Sequence, residues 1–283
     1  MSNLCPPLVD HPWLAARLGD PDLLLFDATY RLANEQRDAP ADFNAAHIPG
    51  ARFFDVDHFA DPAEVALPHM VPSPATAREM LQLLGVNQRS QIVFYDQRGI
   101  FSAPRAWFLL RLFGHDQVSV LDGGLPAWVA AGREMVAGPP PPAPRGDFEP
   151  KFRGRLLRGF GDMLENIGSQ DELVLDARPV ARFLGTAPEP RAGLAGGHIP
   201  GSRSLPFGNL LTGANTMKSP AELRALFATA GVDGGRPVIT SCGSGVSAAV
   251  LTLGMVVAGL PIGALYDGSW SEWGSRPEAP VEV

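Results

Sequence analysis

The chain is poor in cysteine, with only Cys5 and Cys242 among 283 residues. Two cysteines cannot build a disulfide framework or a cysteine-rich zinc site, and their scarcity suits a reducing compartment, so a cytoplasmic location is expected. Positive charge is also scarce. Lys and Arg number 23 against 30 Asp and Glu, and the net charge of −7 argues against nucleic acid or an anionic membrane as a main partner. The start, Met1-Ser-Asn-Leu-Cys-Pro-Pro7, lacks the basic and apolar regions of a secretory leader and is neither Arg-rich nor amphipathic like a transit peptide. One uncharged run, Ser241 to Tyr266, has the length of a membrane span. Gly254, Gly259 and Pro261 interrupt it, and its counterpart in the first half contains Arg105, Arg111 and Asp116, so a buried helix followed by a strand is expected instead. Metal-ligand spacing, a dinucleotide fingerprint and a phosphate-loop motif are all missing, so neither metal nor cofactor is expected.

What the chain has is an internal repeat. Leu23-Leu-Leu-Phe-Asp-Ala28 is answered by Leu173-Val-Leu-Asp-Ala-Arg178, and Ala46-His-Ile-Pro-Gly-Ala51 by Gly197-His-Ile-Pro-Gly-Ser202. Val93 and Val238, Ser102 and Ser247, and Trp128 and Trp273 are each 145 residues apart, so this part of the two copies aligns without a gap. Apolar strand-like runs alternate with helical segments in each copy. That predicts an α/β protein of two similar domains, each a mainly parallel sheet flanked by helices. At 45% hydrophobic and 19% charged, the chain can bury two sizeable cores. The expected domains are 1–138 and 153–283, joined by a Pro-rich, semi-extended linker at 139–152.

Within the second copy, Val238 to Val250 reads as strand, tight loop and helix, with Cys242 at the carboxyl end of the strand, where ligand-binding loops gather in such sheets. Gly243 and Gly245 let the backbone fold around the sulfur. N–H groups of the loop and first helical turn would stabilise a thiolate, the nucleophilic form. Against this stands the plainer reading of Cys242 as a small buried apolar residue.

The duplication separates scaffold from chemistry. Features present in both copies are read as architectural: His47 and His198, the turns at Gly50 and Gly201, and the Asp-Gly turns before Trp128 and Trp273. The position of Cys242 is Gln97 in the first copy, so only one copy can be nucleophilic. A Cys-x5-Arg phosphatase loop would need arginine at 248, where the chain has Ala248. Cys5, flanked by proline near the terminus, is expected to be an exposed, mobile thiol without a role.

These motifs, from about Leu23 to Trp273, resemble the tandem-domain rhodanese family of sulfurtransferases. The loop Cys242-Gly-Ser-Gly-Val-Ser-Ala248 is similar to that of members using 3-mercaptopyruvate; thiosulfate-preferring members carry Arg and Lys where this chain has Gly243 and Ser244. Two cations beside the sulfur would suit a dianion such as thiosulfate, whereas a donor with a distant carboxylate wants them set back.

The resemblance implies a mechanism. Cys242 would take sulfur from 3-mercaptopyruvate as a persulfide, release pyruvate, and pass the sulfur to a thiol acceptor such as thioredoxin or a small dithiol, or to cyanide. Arg182 and Arg191, in the segment Ala181-Arg-Phe-Leu-Gly-Thr-Ala-Pro-Glu-Pro-Arg191, would bind the donor, with Gly243, Gly245, Val246 and Ser247 lining the loop. Ser244, His69 and Asp57 would form a relay between the two halves, although Pro68 replaces the family's Asp before His69 and His58 is a rival. Thiosulfate as donor, or a non-catalytic sulfur-relay or binding protein, are the alternative readings.

Overall fold

Runs such as Leu23–Asp27 and Val238–Ser241 are apolar along most of their length rather than alternating, the pattern of strands covered on both faces. In a computed structural model describing residues 5–32, 35–140 and 142–283, they become the inner strands of two parallel sheets. The first sheet contains β1 (Leu8–Val9), β2 (Leu23–Asp27), β3 (Arg52–Phe53), β4 (Gln91–Tyr95) and β5 (Val118–Leu121). The second contains β6 (Leu157–Arg158), β7 (Leu173–Asp176), β8 (Arg203–Ser204), β9 (Val238–Ser241) and β10 (Ala264–Tyr266). Their orders, β1-β5-β4-β2-β3 and β6-β10-β9-β7-β8, follow one plan, as the repeat predicts. Pairing sets Asp27 beside Tyr95 and Asp176 beside Ser241, and Phe94 beside Val120 where Thr240 lies beside Leu265. Along β4 and β9 the copies therefore correspond at 146 residues rather than 145, and Asp96, not the expected Gln97, stands at the position of Cys242.

The repeated motifs act as scaffold. His47 stacks on Phe43 at 4.1 Å and His198 on Phe183 at 3.8 Å, and each Nδ1 lies 2.9 Å from the carbonyl of the phenylalanine it covers. Gly50 and Gly201, at φ 78° and 75°, make the left-handed turns that follow. The uncharged stretch resolves into the helix Ala248–Val257 and strand β10; among the described residues no helix is long and apolar enough to cross a membrane.

Contacts divide the chain into two units. One holds the chain up to Asp61, then Val71–Arg153 and Gly213–Met217; the other holds Pro62–Met70, Gly154–Thr212 and Lys218–Val283. The cut at Arg153 lies just past the Pro-rich stretch, which belongs to the first unit. Gly146 and Phe148 donate to the carbonyls of Gln82 and Val86, Lys151 and Arg153 to those of Phe113 and Leu112, and Phe148 is fully buried. Burying that ring turns a spacer into a strap.

The two out-of-sequence segments occupy matching places in the repeat, each ending just before a serine-capped helix, Pro74–Leu83 or Pro220–Thr229. His69 and Asn215, each four residues before the capping serine, are both left-handed, at φ 63° and 57°.

Cys5 departs from expectation. It is half-buried, its thiol donates to Gln117 Oε1 at 3.0 Å, and it accepts Gln91 Nε2 at 2.8 Å. Pairing of β1 with β5 draws the preceding residues onto the sheet, where Ser119 and Val120 bond the carbonyls of Pro6 and Pro7.

Candidate active site

Strand β9 ends at Ser241, and the chain turns through Cys242, Gly243, Ser244, Gly245, Val246 and Ser247 into the helix Ala248–Val257. Gly245 supplies a left-handed φ of 76° within the turn. The first copy shows what this loop is shaped to hold. There Asp96 Oδ2 accepts the N–H groups of Phe101, Ser102 and Ala103 at 2.8, 2.9 and 3.0 Å, and Oδ1 accepts that of Arg98 at 2.9 Å. By strand pairing Asp96 stands where Cys242 does, and counting from the strands and from the helix starts at Ala103 and Ala248 the four donors become Ser244, Val246, Ser247 and Ala248. None of those four N–H groups has a partner among the described residues. The first loop carries its own anion; the second leaves the corresponding donors open around Cys242.

Cys242 is 1% exposed. Its backbone is held by polar contacts. Its N–H donates to Ser269 Oγ at 3.3 Å, its carbonyl accepts Trp270 N–H at 2.9 Å, and the carbonyl of Gly243 accepts both the N–H and the hydroxyl of Ser271 at 2.8 and 2.6 Å. These clamping residues are not among the expected site residues. Their signal is the contrast of Asp122-Gly-Gly124 in the first copy with Asp267-Gly-Ser269 in the second.

Arg182 lies on the short helix Val180–Phe183, and its Nη2 is 3.2 Å from where a β-carbon on Gly243 would stand, so the guanidinium rests directly against the cysteine loop. It is oriented by Glu189, whose side chain is 2% exposed and accepts Nε at 3.1 Å and also Nη2. Glu189 in turn accepts Arg178 Nη1 at 2.8 Å. Arg178 is buried, chelates Asp176, and packs its guanidinium 4.1 Å from the Trp270 ring. A buried chain of alternating charge thus runs from β7 to the loop. Arg191, two residues past Glu189 and half-buried, makes no ion pair or hydrogen bond among the described residues and contacts the loop through none.

His69, 4% exposed, belongs to the second unit, with Nδ1 3.2 Å from the carbonyl oxygen of Ser244. A carbonyl only accepts, so in this contact Nδ1 carries the proton. The contact is to the Ser244 backbone rather than to its hydroxyl. Asp57 and the rival His58 are exposed in the first unit, both donating their backbone N–H to Asp55 Oδ1; Asp57 also lines a cavity of about 210 Å³ with Thr29, Arg31 and Arg37.

The first copy keeps this architecture and replaces the reactive groups. Asn215 takes the place of His69 and packs on Gly99 of the first loop: a β-carbon on Gly99 would meet the Asn215 side chain at 2.6 Å. Gln97, the residue that the gapless alignment sets opposite Cys242, is tied to Asp27 Oδ2 at 3.1 Å and to Arg31 at 2.8 Å. Burial pushes the Asp27 carboxyl above its ordinary value despite hydrogen bonds from Thr29 and Gln97. Among the described residues no cluster of His, Cys, Asp and Glu is arranged to hold a metal ion.

Comparison with known proteins converges on one family. The profile of the rhodanese-like domain matches residues 10–131 and again 160–276. The 3-mercaptopyruvate sulfurtransferase of Escherichia coli (strain K12) is 41% identical over 273 residues, covering 95% of this chain and 95% of that protein. Thiosulfate/3-mercaptopyruvate sulfurtransferase 1, mitochondrial, of Arabidopsis thaliana is 37% identical over 301 residues, covering 98% of this chain and 78% of that protein. Among solved structures, SseA from Escherichia coli superposes with a TM-score of 0.85 at 37% identity, covering 94% of this chain and 99% of that one.

Proposed function

The chain belongs to the rhodanese-like domain family, and on that premise we propose that it is a sulfurtransferase taking sulfur from 3-mercaptopyruvate through a persulfide on Cys242. The observation that carries this reading is the set of four open N–H donors around Cys242, whose counterparts in the first unit hold a carboxylate. A thiolate or persulfide anion is the occupant such a loop suits.

The Cys242 thiolate attacks the donor sulfur. An S–S bond forms, the C–S bond breaks, and its electron pair leaves on the donor carbon as the enolate of pyruvate. The proton on the transferred sulfur moves to that carbon, giving pyruvate and an anionic persulfide held by the loop donors. His69, whose Nδ1 faces the Ser244 carbonyl, is suited to carry this proton as a general acid–base group, with Ser244 beside it. An acceptor thiolate then attacks the outer sulfur and returns the Cys242 thiolate. Thioredoxin or a small dithiol in a reducing cytoplasm, or cyanide in an assay, would serve as acceptor.

The donor's carboxylate and ketone fall to Arg191 and Arg182. Arg191 has its whole fork available for a bidentate grip, while Arg182, partly neutralised by Glu189, sits against the loop where charge develops on the carbonyl oxygen. Gly243 and Ser244 place no cation beside the sulfur, which favours this donor over thiosulfate. Mass spectrometry after exposure to mercaptopyruvate should find one added sulfur on Cys242, with pyruvate released. An unchanged mass during turnover removes the covalent step, and a higher kcat/KM with thiosulfate reverses the choice of donor.

A further inference from the structure

We propose that Ser269 is a positioning residue for Cys242: its hydroxyl pins the cysteine's backbone amide and so sets the direction of the sulfur. The proposal rests on the persulfide chemistry above. Ser269 is 0% exposed and sits at φ 49°, a left-handed conformation that a residue with a β-carbon adopts at a cost. Its counterpart in the first copy, Gly124, has nearly the same φ, 52°, and is the residue that conformation favours. The catalytic copy therefore carries the costlier residue.

What the β-carbon and hydroxyl provide is specific. Ser269 Oγ accepts the Cys242 N–H at 3.3 Å and donates to the Tyr266 carbonyl at 2.9 Å, so a strand carbonyl orients the hydroxyl and the hydroxyl holds the cysteine amide. The next residue takes the other side: Trp270 N–H binds the Cys242 carbonyl at 2.9 Å. With both its N–H and its carbonyl held, Cys242 has no backbone rotation left to redirect its Cα–Cβ bond. In the first copy only the carbonyl side of the clamp is present. Leu125, counterpart of Trp270, binds the carbonyl of Asp96, which stands at the position of Cys242, and a β-carbon on Gly124 would stand 2.3 Å from that oxygen and 2.6 Å from the carbonyl of Gly99. The hydroxyl that holds the amide occurs only in the copy that bears the cysteine.

The test uses the full chain with Ser269→Ala, which keeps the β-carbon and loses the hydroxyl, and Ser269→Gly, which restores the first-copy residue and relieves the backbone. Both should form persulfide in a single turnover roughly ten- to a hundredfold more slowly, with donor affinity little changed, as expected when a reacting atom is misplaced while the groups that bind the donor stay intact. Alkylation of Cys242 by iodoacetamide, followed across pH, should also depart from the wild-type profile, because the sulfur no longer faces the loop donors in the same way. Wild-type persulfide rates and a wild-type alkylation profile in both variants would overturn the proposal, leaving Ser269 a structural residue. If Ser269→Ala does not fold, Ser269→Gly carries the test alone. If wild-type protein forms no persulfide, the proposed function fails, while the alkylation profiles still decide the role of Ser269.

Discussion

Arg182 and Gly243 are in contact across the cysteine loop, and a β-carbon at 243 would stand 3.2 Å from Arg182 Nη2. That spacing is tight for a real side chain, and Glu189 holds Arg182 from the other side by Nε and Nη2. A guanidinium at position 182 and a side chain at position 243 therefore compete for one place.

Gly243→Ala tests this competition. Gly243 lacks the left-handed φ that would penalise alanine, so the fold should tolerate the change, with stability altered by no more than about 0.5 kcal/mol. The cost should appear in chemistry, as a fall of roughly tenfold in kcat/KM with mercaptopyruvate as Arg182 is pushed off the loop. Steady-state kinetics beside a urea titration checks both halves.

The two arginines should fail differently. Arg182→Ala removes one of two cations from Glu189, whose carboxylate is 2% exposed, and should cost about 1–3 kcal/mol in urea-unfolding stability in addition to activity. Arg191→Ala removes a guanidinium with no partner to strand. Its stability should stay near wild type while KM for mercaptopyruvate rises, and equal loss with thiosulfate would assign both arginines to scaffold.

Much of this is legible from the residues. The constant spacing of Val93 and Val238, and of Trp128 and Trp273, implies one fold built twice, and the two sheets share one strand order. The lone cysteine of the two loops identifies which copy keeps a thiol. Strand pairing nevertheless sets Asp96 rather than Gln97 opposite it, because the first loop is one residue longer and the gapless spacing hides that. The rest depends on packing between residues far apart in sequence. Glu189 reads as an ordinary loop carboxylate until the fold places Arg178 and Arg182 on either side of it. The strap after Pro140 looks like a free linker because one buried ring, Phe148, sets its path. Cys5 looks loose because a two-residue strand, β1, gives almost no periodic signal. A signal is present for the histidine: aligning Ser73-Pro-Ala with Ser219-Pro-Ala pairs His69 with Asn215 and leaves His58 outside the motif.

Asp96 should matter to the fold and not to the chemistry. Replacing it with Asn keeps the size but puts an N–H₂ group where a carboxylate oxygen accepts backbone donors, so buried N–H groups lose their partner. The expected loss is about 2–4 kcal/mol, confined to the first unit. Differential scanning calorimetry should show that loss, while persulfide formation on Cys242 per folded molecule stays unchanged.

His115 should give the first unit a measurable acid sensitivity. Burial holds its imidazole below the ordinary value of 6.5, outweighing the contact of Nε2 with the Ser90 carbonyl at 2.8 Å and the nearby Asp116. The native ring binds a proton more weakly than the unfolded one. Its contribution to stability is therefore complete above pH 6.5 and declines as pH falls below that toward the depressed native value. His115→Gln retains an amide N–H able to reach Ser90 and has nothing to titrate in this range. Between pH 7.5 and 5.5 the melting temperature of wild type should drop by several degrees more than that of the variant, about what 1 kcal/mol is worth in a domain of this size. Equal drops in the two proteins would place the acid sensitivity on other groups.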